Sequence, residues 1–134
     1  TVPENSNGVT WRPFFTGSRT DPMDLGQISG LSPSTLTSGH LARALFEAMA
    51  EHLFSCYKEA LDLGVVPRDY IVGTGNGIKR NKVLRDSIER AFGMKIQVTR
   101  HDEEAGIGAA MCAAVAGGVY SSIQNASEEF LSKV

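Results

Sequence analysis

The chain has 134 residues, 42% hydrophobic and 21% charged, a balance that supports one modest domain with its own core and excludes an intrinsically disordered segment. A formal net charge of -2 at pH 7, with the lysines and arginines scattered, excludes the basic footprint of a nucleic-acid binder. The most apolar window, residues 105–119, is too short to cross a bilayer, so no membrane partner is expected.

Residues 9–15, Val-Thr-Trp-Arg-Pro-Phe-Phe, combine β-branched and aromatic side chains between turn clusters and predict a strand, with Pro13 marking an edge or an end. Residues 16–22 carry turn chemistry, and residues 26–31 predict an extended return, completing a hairpin. Thr37 or Ser38 caps a long helix. Leu41, Ala44, Leu45, Ala48, Met49, Leu53, Cys56, Tyr57, Ala60 and Leu61 follow its three-and-four spacing on one buried face, and Gly64 stops it. Tyr70, Ile71 and Val72 form a short strand that runs into a glycine-rich loop. A second helix follows through Val83, Leu84, Ile88, Ala91 and Phe92, ended by Gly93.

Residues 95–99, Lys-Ile-Gln-Val-Thr, alternate as a strand. Asp102, Glu103 and Glu104 place negative charge where a helix dipole favours it. The helix they open is almost all small over residues 105–114, which lowers its intrinsic propensity and allows close packing. Residues 121–134 predict a last short helix capped near Ser122 or Ser127, with Ile123, Phe130 and Leu131 inward. Helix, strand, helix, strand, helix after Ser38 implies parallel strands with helices packed on the sheet.

The loop at residues 73–81 is the main candidate for function. Gly73, Gly75 and Gly77 alternate with Thr74 and Asn76, and Asn81 stands at the entry to the next helix. Glycine permits positive φ and removes the side chain that keeps a ligand off the backbone, while the N–H groups of a following helix favour an anion. A nucleotide loop and a plain strand-to-helix turn both fit this pattern. Its place at a strand's carboxyl end, where open α/β sheets bind ligands, favours the nucleotide. The glycine spacing is not Gly-x-Gly-x-x-Gly, and the next strand ends at Thr99 and Arg100 without the acidic residue of a dinucleotide fold. No Gly-Lys-Ser or Gly-Lys-Thr completes a Walker loop.

Other residues read more plainly. His40 and His52 belong to the long helix and have no cysteine or carboxylate at metal spacing, so no metal site is expected. Arg43 and Glu47, four apart, form a surface pair, or their polar face meets a further domain. Trp11, Phe14 and Phe15 serve packing. Cys56 and Cys112 fall in helical apolar patterns and are expected as buried free thiols in a reducing compartment, hence the cytoplasm. There is no signal peptide at Thr1, and the polar opening without methionine fits a piece of a longer protein.

The linked motifs Pro13-Phe-Phe-Thr-Gly-Ser-Arg-Thr, Ile28-Ser-Gly-Leu-Ser, His40-Leu-Ala-Arg-Ala-Leu-Phe-Glu, the loop at residues 73–81, Phe92-Gly-Met-Lys-Ile-Gln-Val and Glu104-Ala-Gly-Ile-Gly-Ala-Ala resemble the carboxy-terminal domain of the FGGY carbohydrate kinases. The resemblance runs over residues 8–126, and the form of the loop is most similar to that of the sedoheptulokinases. It implies an α/β fold, a ribonuclease H-like half of the actin-like, hexokinase-like ATPase architecture, with a short mixed sheet and flanking helices. Residues 1–134 would then form a single, partial carboxy-terminal domain without its amino-terminal kinase domain.

The resemblance further implies that ATP, with Mg2+ held mainly through the phosphates and the amino-terminal domain, is the cofactor. Gly73, Thr74, Gly75, Asn76, Gly77 and Asn81 would hold adenosine, the glycine backbone along the ribose and α-phosphate and Asn81 at the adenine. Gly106 and Gly108 would let the small-residue helix approach the sheet. Arg19 lies in Gly17-Ser18-Arg19-Thr20, an imperfect match to the family's Gly-Glu-Arg-Thr-Pro pattern, and is either a cleft residue or a solvated arginine. No catalytic base is assigned within the chain: Asp21, Asp24, Asp69 and Asp102 all read as turn, loop or helix-start residues. The expected partners are ATP or ADP and a sugar shared with the amino-terminal domain, and the isolated chain is expected to be inactive. The competing class is a non-catalytic module of the same fold that acts by protein association.

Overall fold

The computed structural model describes residues 2–99 and 103–132, the side chains of 130–132 excepted. Arg100 and Asp102, placed above at a strand end and a helix start, lie outside the described residues, as do the side chains of Phe130 and Leu131. A left-handed turn at Glu4–Gly8 is followed by β1 (Thr10–Arg12), β2 (Gln27–Ser29), α1 (Ser38–Asp62), β3 (Ile71–Gly73), α2 (Gly75–Arg80), α3 (Lys82–Phe92), β4 (Ile96–Val98), α4 (Glu104–Ala116) and α5 (Ile123–Ser132). These elements divide between two compact units. The first is Thr1–Ile71 with Asn81–Ile96, and the second is Val72–Arg80 with Gln97–Val134.

In the first unit the hairpin forms as expected, β1 antiparallel to β2 with Trp11 opposite Ile28. It is shorter than its sequence pattern because Pro13, which has no N–H to donate, follows the last paired residue. Helix α1 starts at Thr37, whose hydroxyl accepts the His40 N–H at 3.3 Å. It closes with Val65 N–H on Ala60 O and Gly64 N–H on Leu61 O, Gly64 taking φ 92°, the paired bonds that satisfy a helix's last carbonyls. Helix α3 ends in the same way at Gly93, φ 64°, with Met94 N–H on Glu89 O.

Helices α1 and α3 pack on each other, and α1 also meets β1 and the left-handed turn. Val9, Ala44, Ala50, Leu84 and Ile88 are buried there, with the Phe92 ring edge-on to Phe54 at 5.2 Å and tilted against Tyr57 at 5.5 Å. The buried face of α1 is narrower than its apolar pattern. Met49 and Leu53 are exposed, and so is Cys56, because only the stripe carrying Ala44 and Ala50 is covered. The expectation of a buried Cys56 thiol is therefore corrected.

The Arg43–Glu47 pair is not on the surface: the two side chains are 18% and 13% exposed. The Glu47 carboxylate accepts from Arg43 Nε (3.1 Å), the Asn5 N–H (3.1 Å), Ser6 Oγ (3.2 Å) and Arg90 (3.4 Å). It thereby ties down Asn5 and Ser6, which with Asn7 stand at φ between 42° and 62°, with Ser6 fully buried. Non-glycine residues adopt that backbone at a cost, and charge-assisted bonds to one carboxylate offset it.

In the second unit, α4 packs against α5 and Ala126 is fully buried. Ser122 Oγ accepts the Asn125 N–H at 3.2 Å and so caps α5, as expected for Ser122. Ile123, expected inward, is 43% exposed because it stands in the first turn of α5, beside the cap and at the end of the helix. No residue of α4 is buried and Cys112 is exposed. Side chains built on Gly106 and Gly108 would meet only Glu103 Cβ at 3.7 Å and nothing within 4 Å, respectively. These glycines therefore permit no close approach here, which corrects their assignment as packing glycines.

Strands β3 and β4 pair with each other. Ile71 N–H donates to Lys95 O within the first unit, and Thr99 N–H to Gly73 O within the second. Residue numbers rise together along both strands, the parallel pattern that the crossover order implied. The expected short mixed sheet with flanking helices takes the form of two two-stranded ladders, β1–β2 antiparallel and β3–β4 parallel.

Candidate functional site

The segment that leaves β3 is built differently from the open loop its sequence suggests. Helix α2 begins at Gly75 and runs for six residues to Arg80. Gly75 enters it at φ 80°, a conformation that disfavours any side chain. Gly73 is buried at the end of β3, while Thr74, Asn76 and Gly77 are exposed. A Cβ added at Gly75 or Gly77 would meet nothing within 4 Å. The segment thus presents bare backbone on an open face, where a flat or charged ligand could lie against main-chain N–H groups with no side chain intervening.

The structure brings Gly73, Thr74, Gly75, Asn76 and Gly77 together within the second unit and places Asn81 in the first. Asn81 is the N-cap of α3: at φ -110° and ψ 96°, its Oδ1 accepts the Leu84 N–H at 3.0 Å. That role was legible as an asparagine before an apolar-periodic run. Its side-chain amide, a donor, is the part still suited to a ligand.

Sequence reasoning missed the network that holds the glycine segment. Lys79, in the last turn of α2, forms an ion pair with Glu104 at 2.6 Å, the two side chains 11% and 25% exposed. The Thr99 hydroxyl donates to the same carboxylate oxygen, and the Thr99 backbone N–H donates to Gly73 O at 3.2 Å. The Lys79 ammonium foremost, then the Thr99 hydroxyl, hold the Glu104 carboxyl well below the usual range, at about 2. Lys79 and Glu104 belong to different helices, with α3 and β4 between them, so only the fold shows that they meet.

Arg19 is exposed on the loop after β1. That loop is fixed by Ser18 N–H on Asp21 O (2.9 Å) and by Asp21 Oδ1 accepting the Met23 N–H (2.8 Å), which gives Asp21 the turn role expected of it. Asp24 pairs with Arg12. His40 is engaged by Thr37 Oγ1 at 2.8 Å and by Asn7 Nδ2 at 3.2 Å, and His52 packs edge-on against Phe14 at 5.1 Å. Phe15 is 65% exposed although its ring lies 5.6 Å from Trp11. Among the described residues, no group of three or more histidines, cysteines or carboxylates could hold a metal ion, and no helix is long and apolar enough to cross a membrane. A hollow of about 370 Å³ beside Glu4, Glu47, Ser87 and Arg90 lies within the first unit, with Arg90 already paired to both carboxylates.

Known proteins give this geometry its context. Residues 2–117 match the model of the FGGY family of carbohydrate kinases, C-terminal domain. Human sedoheptulokinase is 30% identical over 112 residues, which cover 82% of this chain and 23% of that protein. Chicken glycerol kinase 5 is 26% identical over 117 residues, covering 87% and 22%. The chain thus spans about a quarter of the length of the curated relatives it matches. Among solved structures, xylulose kinase from Rhodospirillum rubrum superposes with a TM-score of 0.74 at 29% identity, over 94% of this chain and 25% of that one. Plasmodium falciparum glycerol kinase with ADP also gives 0.74, at 25% identity, over 96% and 26%. The fold is that of these sugar kinases, the actin-like ATPase architecture. With its bare glycine segment after β3 and a family match over nearly its whole length, the chain belongs to the FGGY family of carbohydrate kinases, within the carboxy-terminal domain.

Proposed function

We propose that the chain is the adenosine-holding, carboxy-terminal part of an ATP-dependent carbohydrate kinase that phosphorylates a ketose such as sedoheptulose on a terminal hydroxyl, and that the amino-terminal kinase domain lies outside residues 1–134. One observation carries the reading: Gly75 at φ 80° and the side-chain-free, open faces of Gly75 and Gly77 present bare backbone inside the segment that matches the kinase family. The solved relative with ADP and the sedoheptulokinase relatives support the nucleotide and the ketose.

In this reading Gly73, Thr74, Gly75, Asn76 and Gly77 line the ribose and α-phosphate with backbone, and the Asn81 amide donates to the adenine. ATP supplies the phosphoryl group, with Mg2+ held through its phosphates and the amino-terminal domain. Phosphoryl transfer also needs a base near the sugar hydroxyl. In this reading the base belongs to the amino-terminal domain, as the family resemblance implies. Two exposed free thiols, Cys56 and Cys112, suit a reducing cytoplasm.

The test is calorimetry with ADP on the full-length protein that contains this chain, wild type and Gly77→Ala. Gly77 sits inside a helix with open space around it, so alanine there favours the fold by about 0.5–1 kcal/mol. The expected outcome is ADP binding by the wild type, weakened about tenfold or more in Gly77→Ala despite equal or greater stability. Absence of ADP binding by the wild type refutes the nucleotide reading and supports the non-catalytic association module. Equal affinity in the variant removes the glycine segment from the site.

A further inference from the structure

Four groups in the second unit close a ring around the glycine segment. At its start, Gly73 O accepts the Thr99 N–H at 3.2 Å. At its end, the Lys79 ammonium pairs with Glu104 at 2.6 Å. The two anchors are joined to each other, because the Thr99 hydroxyl donates to the carboxylate oxygen that Lys79 holds. The segment is therefore tied at both ends to one carboxylate–threonine pair, at the carboxyl end of β4 and in the first turn of α4. In its middle, Gly75 and Gly77 carry no side chain and a Cβ on either would meet nothing within 4 Å, so beyond the backbone bonds of α2 the two anchored ends help to fix its course.

We infer that Lys79, Thr99 and Glu104 form a latch that positions the glycine segment for the nucleotide, with Glu104 acting as a positioning residue. The inference rests on the nucleotide reading given above and adds residues to it that touch no part of the ligand. A main-chain cradle has no side chains with which to adjust, and its donors must stand ready before the ligand arrives. Charge-assisted bonds are suited to this, being short and geometrically specific. The latch also holds the Lys79 ammonium on Glu104, 11% exposed, so this lysine works through the carboxylate rather than as a phosphate ligand.

The test uses the full-length protein and titrates ADP, and separately the sugar substrate, into wild type, Glu104→Gln, Lys79→Met and the double variant, well below their unfolding temperatures. Each single change should weaken ADP about tenfold while sugar affinity stays within twofold. The double variant should be no worse than the weaker single one, since both break the same latch. A defect in general folding would lower both affinities together, and that result overturns the inference. Wild-type ADP affinity in Glu104→Gln also overturns it, including the case in which Lys79→Met alone is impaired, which would assign Lys79 to the nucleotide itself. If the wild type binds no ADP, the nucleotide reading falls and the latch falls with it, an outcome distinct from both.

Discussion

Asn81 is asked to do two things with one side chain, and the two can be separated. Its Oδ1 caps α3 by accepting the Leu84 N–H at 3.0 Å; its amide nitrogen is the donor proposed for the adenine. Asn81→Ala removes both. Loss of an N-cap costs about 1 kcal/mol, which raises the opening equilibrium of the first turn about fivefold. The Leu84 amide, on a residue 8% exposed, should then exchange with solvent about fivefold faster than in the wild type. Asn81→Asp keeps an acceptor at the cap, where aspartate equals asparagine, and has no donor to offer a base. It should therefore retain Leu84 protection and still lose ADP affinity. Hydrogen exchange read by NMR follows the first effect and calorimetry the second. Unchanged Leu84 exchange in Asn81→Ala would refute the cap, and wild-type ADP affinity in Asn81→Asp would refute the adenine contact.

Gly17→Ala should destabilise the protein by about 2 kcal/mol or more, because the residue stands at φ 89° and its Cβ would fall 2.4 Å from Pro22 O; a denaturant midpoint equal to wild type would contradict this. Glu47→Ala should cost about 2 kcal/mol in the same assay, since it strips the half-buried Arg43 and the buried Ser6 of a shared acceptor. Glu104 titrates in the folded state at about 2, against 4.5 for an ordinary glutamate. A lowered folded value means that its stabilisation is complete above about pH 4.5 and is lost as pH falls toward 2. Wild type should therefore unfold at a higher temperature than Glu104→Gln at pH 7, with the gap closing between pH 4.5 and 2. A gap independent of pH would exclude ionisation as its source.

What was legible in the sequence was what is settled locally. Thr37, one of the two caps the pattern offered, and Gly64 and Gly93 as stops depend on residues within a turn or two of one another, and the hairpin of residues 9–15 with 26–31 on strand composition around a turn cluster; the structure has each of them. Burial was not legible, because it depends on which elements come to cover a face. Cys56 and Leu53 continue the apolar stripe of α1 yet are exposed, and Gly108 meets no neighbour. The glycine segment was recognised by composition but not by form: three glycines in five residues argue for a loop on propensity, and α2 forms through them regardless. Glu47 and Glu104 were read from neighbours on their own helices, whereas their partners Ser6, Lys79 and Thr99 come from other parts of the chain.

The two compact units are interleaved along the sequence, the chain passing from one to the other after Ile71, Arg80 and Ile96. Neither unit can therefore be released by a single cut or produced as an uninterrupted segment. The order of synthesis matters as well. A nascent chain emerging from the ribosome has α1 in hand long before α3, which packs on it, and the glycine segment appears before Thr99 and Glu104 exist to hold it. Domains made of contiguous sequence can fold one after another as they are translated. Here the first unit waits for residue 96 and the latch for residue 104, so neither is complete when its own first segment has been made.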